Sequence, residues 1–242
     1  MKLAIDIGNT SVACGLFQRG NIIQKFNINS LDELGGKLAR NNLHKIKKII
    51  VSSVVPKRTE DFDIYFNKNY KGKVNFINYT NSKLSLKVQK PETVGNDRLC
   101  NIFATIKLYK TPSIIVDFGT ATTYDVIDVN NEFIGGAIGA GIETSANYLI
   151  NKAALLSTTD LKFPKHVIGI NTKENIQSGI MYGALDQVKG MILRIKKEND
   201  AKYQIILTGG FSKLLSPYLS IKHILDIDLT LKGMMLIDEA NS

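Results

Sequence analysis

Short apolar runs closed by glycine or asparagine recur along the chain, and the most regular of them occur twice. Residues 2–17, KLAIDIGNTSVACGLF, carry an apolar strand ending in Asp-x-Gly, a tight polar turn and a second apolar strand; residues 113–128, SIIVDFGTATTYDVID, repeat that order. Each copy is followed by a further turn and strand, Gly20-Asn21 before IIQKF and Asn130-Asn131 before EFIGG. Period-two alternation bounded by Gly and Asn is the mark of strands joined by hairpins, so each half is predicted to open with three consecutive antiparallel strands.

Behind the first three strands the pattern predicts a helix near 30–43, a buried strand IIVSSVV at 49–55, a helix after Pro56 and a strand near 74–78. The apolar stretch LCNIFATIKLY, opened by Gly95-Asn96-Asp97-Arg98, reads as another helix. Behind the second set come an apolar helix near 142–156, a long amphipathic helix near 173–198, the strand YQIILT at 203–208 and a short helix after Gly209-Gly210. The expected organisation is two α/β halves, 1–110 and 111–242, each a mixed sheet flanked by helices, with the two Asp-x-Gly turns facing one shared cleft.

Composition narrows the classes. With 44% hydrophobic and 22% charged residues the chain reads as an ordinary globular protein. No apolar run approaches the ~18 residues of a membrane span, and the start meets Asp6 too early for a secretory signal, so a cytoplasmic protein with no membrane partner is expected. Cys14 and Cys100 lack metal-ligand spacing and are expected to be reduced and buried. The net charge of +9 raises nucleic acid as a partner, but the lysines are dispersed and only five arginines occur, so no nucleic-acid partner is expected and anionic small substrates account for the charge equally well.

The candidate chemistry lies in the turns. Asp6-Ile7-Gly8-Asn9-Thr10-Ser11 offers a carboxylate, a glycine and several hydroxyl, amide and backbone donors, a set suited to nucleotide phosphates and a hydrated Mg²⁺. It is not a Walker loop, which requires GxxxxGK[ST]. Asp117-Phe118-Gly119-Thr120-Ala121-Thr122-Thr123 repeats the arrangement as a second phosphate or cation grip. Thr208-Gly209-Gly210 either lets a nucleoside approach or simply packs a strand against a helix. Asp97 and Arg98 open a helix, where an acid caps backbone N–H groups; in a cleft the same pair serves as a general base and a carboxylate anchor. Gly135-Gly136-Ala137-Ile138-Gly139-Ala140-Gly141 signals close backbone approach, lining a cleft or packing a strand end. Asn171-Thr172 is expected to cap the long helix, and His44, His166 and His223 read as surface residues.

Taken together, DIGNT at 6–10, SSVVP at 52–56, GNDR at 95–98, DFGTATT at 117–123, GGAI at 135–138, NTKENIQSGIMYG at 171–183 and TGG at 208–210 resemble a type III pantothenate kinase along nearly the whole chain. The resemblance implies a duplicated actin-like (ribonuclease H-like) two-domain fold. It also implies phosphorylation of pantothenate by ATP at the first step of coenzyme A synthesis, by a cytoplasmic homodimer needing Mg²⁺ and a monovalent cation, K⁺ or NH₄⁺. Carried over by position, Asp6, Ile7, Gly8, Asn9, Thr10, Ser11, Val12 and Ala13 form the nucleotide phosphate loop, with Asp6 holding Mg²⁺ through phosphate and water, and Thr120 adds an ATP contact. Asp117 helps hold the monovalent cation. Gly95, Asn96, Asp97 and Arg98 bind pantothenate, Asp97 is the proton acceptor, and Thr172 contacts the same substrate near the dimer interface formed by helices of the second half.

Two positions depart from the family pattern. Gly139-Ala140-Gly141 stands where a proline usually follows GGAI, and Val88 stands where a tyrosine often precedes the GxDR glycine by seven residues. The rival functions are a nucleotide-binding regulator that has lost catalysis and a phosphatase or polyphosphate hydrolase of the same fold. Intact Asp6, Asp97 and Asp117 weigh against the first, and GNDR weighs against the second.

Overall fold

The computed structural model describes residues 1–40, 45–153, 158–199 and 201–242. They form two compact units, one of residues 1–109 with 228–242 and one of residues 110–227.

In the first unit, β1 (Lys2–Ile7), β2 (Val12–Gln18) and β3 (Asn21–Ile28) make the expected antiparallel meander, and β4 (Lys48–Ser53) and β5 (Lys73–Phe76) extend it in parallel, giving the order β3-β2-β1-β4-β5. Strand alternation sorts the side chains onto two faces. Leu3, Ile5, Ile7, Ile49 and Val51 join Leu34 of α1 (Leu31–Arg40) and Phe62 and Phe66 of α2 (Pro56–Asn69) in one core. Ala4 and Ile50 face the other way, toward Cys100 and Phe103 of α4 (Asn96–Leu108). Asp6 and Ser52 share that second face, opposite each other in the β1–β4 register. The short helix α3 (Tyr79–Ser82), closed by a reciprocal Asn78–Asn81 capping box, lies between β5 and α4.

The second unit repeats the topology as β10-β9-β6-β7-β8, with β6 (Ser113–Phe118), β7 (Ala121–Ile127) and β8 (Phe133–Ala140) antiparallel and β9 (Gln204–Thr208) and β10 (Ile224–Leu225) parallel. Val116, Phe118, Tyr124 and Leu207 pack with Ile142 of α5 (Ile142–Lys152), Met181, Leu185, Val188 and Ile192 of α6 (Thr172–Asn199), and Leu215 of α7 (Ser212–Leu215). The predicted helix near 30–43 is observed to Arg40, and the one near 142–156 to Lys152; 41–44, with His44, and 154–157 lie outside the described residues.

The last helix corrects the expected division. α8 (Leu229–Ala240) groups with the first unit, so the second does not run to residue 242. Its Leu231, Met234, Met235 and Ile237 complete the core around Ala4, Ile50 and Cys100. Gly233 lies so close to the Cys100 carbonyl that a Cβ there would overlap it, and Thr230 donates to Asn101 Oδ1 at 2.8 Å. Close packing of two helix backbones is what glycine inside a helix permits, at the expense of helix propensity.

α8 also delivers Asp238, buried yet ionised. Its carboxylate accepts from Lys2 Nζ (3.0 Å), Lys48 Nζ (2.5 Å) and Asn75 Nδ2 (2.7 Å). Burial pushes its pKa up, but hydrogen bonds from Lys48, Lys2 and Asn75 outweigh that effect and hold it below the ordinary 3.8. A depressed carboxylate stabilises the fold fully above its unfolded value, and the contribution fades as pH falls through the lower folded value. Asp238→Ala should therefore cost about 2 kcal/mol in urea denaturation at neutral pH, less than the ~3–5 kcal/mol of a wholly buried pair because the lysines can reach water. The difference from wild type should shrink below pH 3.8.

Candidate functional site

In the first unit the candidate residues converge at the carboxyl ends of the parallel strands β1 and β4, the end where open α/β sheets hold ligands. The β1–β2 hairpin closes with the Gly8 N–H donating to the Ser11 carbonyl at 3.0 Å. Asn9, Thr10 and Ser11 are exposed at its tip, while Asp6 sits at the base between Ala13 and Ser52 on the neighbouring strands.

The connection from β4 to α2 ties this turn to the GNDR segment. The Val54 N–H donates to the Ile7 carbonyl at 3.2 Å, and the Ser53 carbonyl accepts from Asn96 Nδ2 at 2.9 Å. Thr59 Oγ1 donates to Ser53 Oγ at 2.7 Å. From the first turn of α2, Arg58 Nη1 donates to the Gly8 carbonyl at 3.1 Å. Arg58 and Thr59 were not singled out from the sequence, and Ser53 entered only as part of SSVVP, with no role assigned to it. Ser53 and Thr59 are common polar types around a helix start, whereas Arg58 carried a signal in hindsight, being a cation in the opening turn of a helix.

α4 begins at Asn96 with Gly95 as its N-cap, and no side chain caps it. A Cβ on Gly95 would stand 2.6 Å from Asp97 Oδ1, so the glycine makes room for that carboxylate. Asp97 accepts the Arg98 N–H at 2.7 Å, and burial outweighs this bond, the Arg98 charge and the Asp97 backbone N–H, so its pKa is pushed above the usual 3.8. One helical turn on, burial also drives the Cys100 thiol well above its ordinary value, and the negative charges of Asp6 and Asp97 push in the same direction. The two carboxylates thus flank one buried thiol on the α4 face of the sheet. Cys14 is likewise buried and unpaired, its pKa pushed up to about 12 by burial.

In the second unit Asp117, next to last in β6, stands opposite Thr208 of β9, pointing away from the Val116 and Phe118 side. Gly209, at φ +88°, lies so close to Asp117 Oδ1 that any Cβ there would collide with it, so TGG and DFG form one cluster. Thr120 is exposed at the β6–β7 turn, and its carbonyl accepts from the Gly141 N–H (3.1 Å) and Thr144 Oγ1 (2.6 Å) at the start of α5. The glycine-rich 135–141 segment is mostly strand β8. Gly136 lies against the Tyr124 carbonyl and Gly141 against Gly119 and Thr120, which is the packing reading of that segment.

Asn171 caps α6, its Oδ1 accepting from the Glu174 N–H at 3.0 Å, while Thr172 is exposed in the first turn. His166 is exposed as expected. His223 differs: it is half-buried, with Nε2 2.8 Å from Ser216 Oγ and Nδ1 2.7 Å from the Ile221 carbonyl, and it fastens the segment before β10.

Two repeated five-stranded mixed sheets with these turns define an actin-like fold of the sugar kinase kind. A structure described as a 2-dehydro-3-deoxygalactonokinase from Sinorhizobium meliloti aligns over 100% of this chain and 99% of its own, with a TM-score of 0.61 at 10% identity. A protein described as a conserved Baf family transcriptional activator from Campylobacter jejuni aligns over 99% and 98%, with a TM-score of 0.64 at 23% identity. The activator of 2-hydroxyisocaproyl-CoA dehydratase from Clostridium difficile, solved with bound ADPNP, aligns over 99% and 95%, with a TM-score of 0.58 at 13% identity. The family profile of type III pantothenate kinase matches residues 2–194, and the chain belongs to that family.

Proposed function

We propose that this protein transfers the terminal phosphoryl group of ATP to the primary hydroxyl of pantothenate, giving 4'-phosphopantothenate and ADP, the opening step of coenzyme A synthesis. The observation that carries this reading is Asp97: a desolvated carboxylate, made more basic by burial, on the same face of the first sheet as Asp6 and linked through Asn96 and Ser53 to the strand ends. Phosphoryl transfer asks mainly for positioning and charge stabilisation, with an acceptor for one proton. The hydroxyl oxygen forms a bond to the terminal phosphorus as the bond from that phosphorus to the ADP oxygen breaks, and the hydroxyl proton passes to Asp97. Arg98 anchors the pantothenate carboxylate, with Gly95 and Asn96 shaping its seat. Residues 6–13 and Thr120 hold the nucleotide.

Asp6 would help hold a magnesium ion, which when bound would supply positive charge to offset that of the transferring phosphoryl group. Among the described residues no three His, Cys, Asp or Glu side chains gather into a cage. A metal carried chiefly by phosphates needs one carboxylate, and Asp6 at the base of the turn suits it. Asp117, enclosed by Gly209 and beside Thr208, suits a monovalent cation. Turnover should therefore need K⁺ or NH₄⁺; equal rates in Na⁺ and K⁺ buffers of matched ionic strength would remove Asp117 from that role.

We place the protein in the cytoplasm as a homodimer. Among the described residues no helix is long and apolar enough to cross a membrane. In the second unit Tyr148, Ile168 and Ile170 are 67%, 84% and 90% exposed, apolar surface of the kind a second copy would cover, beside Thr172. Thr172 then contacts pantothenate near that interface.

The name of the Campylobacter jejuni structure favours a second reading, a regulator of transcription. ADP release separates the alternatives. A kinase releases ADP from ATP only when pantothenate is added, a hydrolase releases it without pantothenate, and a regulator does neither.

A further inference from the structure

We infer that Arg58 is the cation of the nucleotide site, binding phosphate oxygens through the guanidinium N–H groups that the Gly8 carbonyl leaves open. The inference rests on the proposed ATP chemistry and names a residue that chemistry lacks. A nucleoside triphosphate brings three to four negative charges. Yet residues 6–13, 117–123 and 208–210 contain no lysine or arginine, and the proposed chemistry assigns Arg98 to the acceptor's carboxylate.

Arg58 supplies the missing charge at the turn itself. One N–H of its Nη1 is held by the Gly8 carbonyl at 3.1 Å, and among the described residues neither a carboxylate nor any other acceptor takes the rest of the fork. Five donors in a rigid plane are suited to docking on a backbone carbonyl with one edge and on a phosphate with the other.

The position argues independently that Arg58 is not there for helix stability. α2 starts with Pro56, and Arg58 lies in its first turn, where no acidic residue stands. A cation at that end opposes the helix dipole, which favours acids there. A local rule broken without local compensation is expected at functional sites. The Gly8 bond also turns that carbonyl toward the guanidinium, which leaves the exposed N–H groups of the turn for an anion.

The test is the affinity for Mg·ADP and for adenosine, measured by calorimetry on wild type, Arg58→Gln and Arg58→Lys, with melting temperatures and with KM for ATP and for pantothenate. Gln keeps N–H donors for Gly8 but loses the charge, whereas Lys keeps the charge. The expected result is a roughly 10- to 100-fold loss of Mg·ADP affinity in Arg58→Gln, a smaller loss in Arg58→Lys, and little change in adenosine affinity, pantothenate KM or melting temperature. Wild-type Mg·ADP affinity in Arg58→Gln would overturn the inference, as would equal losses for adenosine and ADP or losses that follow a lowered melting temperature. If wild type binds Mg·ADP but phosphorylates no pantothenate, the proposed function fails while the ADP affinities still decide Arg58. A wild type that binds no nucleotide overturns both.

Discussion

Asp97→Asn should lower kcat by roughly 10²–10⁴-fold at saturating pantothenate, the usual contribution of a general base, while nucleotide affinity stays near wild type. Asparagine can accept the Arg98 N–H as aspartate does, and α4 uses Gly95 rather than Asp97 as its N-cap, so the helix is preserved. The pH dependence follows from the direction of the shift. Because burial raises the folded pKa above 3.8, the neutral carboxyl suits the fold better than the ion. The stability it brings is full below 3.8 and is lost as pH rises through the folded value. Asn imitates the neutral form, so at pH 7 the variant should melt no lower than wild type. For activity, proton acceptance requires the ion, so the acid limb of the wild-type kcat/KM profile should lie above 3.8 and be absent from any residual activity of Asp97→Asn. Near-normal turnover by the variant would reduce Asp97 to a helix-end residue.

The second large effect is expected at Asp6. Asp6→Asn keeps the shape of a side chain that stands opposite Ala13 and Ser52 in the sheet but removes the charge assigned to the magnesium, so Mg²⁺-dependent turnover should drop roughly 10²-fold or more. Raising Mg²⁺ should restore part of it if the metal site is merely weakened. The melting temperature should barely move, since the β1–β2 and β1–β4 ladders are backbone pairings that the substitution leaves intact. Loss of activity only in proportion to unfolded protein would make Asp6 a structural residue of the strand.

Much of this arrangement was legible because local signals and tertiary structure agree. The Asp-x-Gly turns, with their flanking period-two strands, announced both hairpins and the duplication, and the two sheets have matching strand orders. α4 was legible from its apolar run. α8 was not, since a glycine in the middle of LTLKGMMLIDEA weakens the helical pattern; the reason for Gly233 lies on α4, more than a hundred residues earlier, where the Cys100 carbonyl occupies the space. The same distance in sequence hid the division of the chain into units. Gly135 to Gly141 left cleft lining and strand packing equally open by composition; most of it pairs as a strand, in which Gly136 lets the Tyr124 carbonyl approach. At the site, acids within motifs were visible, whereas Arg58 became meaningful only when the fold placed it 3.1 Å from the Gly8 carbonyl.

The central claim is the transfer of phosphate from ATP to pantothenate, and phosphorus NMR of the reaction mixture tests it directly. Incubation of the purified protein with ATP, Mg²⁺, K⁺ and pantothenate should give equal amounts of ADP and a phosphate monoester on the pantothenate primary hydroxyl, with no inorganic phosphate above the enzyme-free control. ATP left intact, or converted to ADP and inorganic phosphate whether or not pantothenate is present, would contradict it.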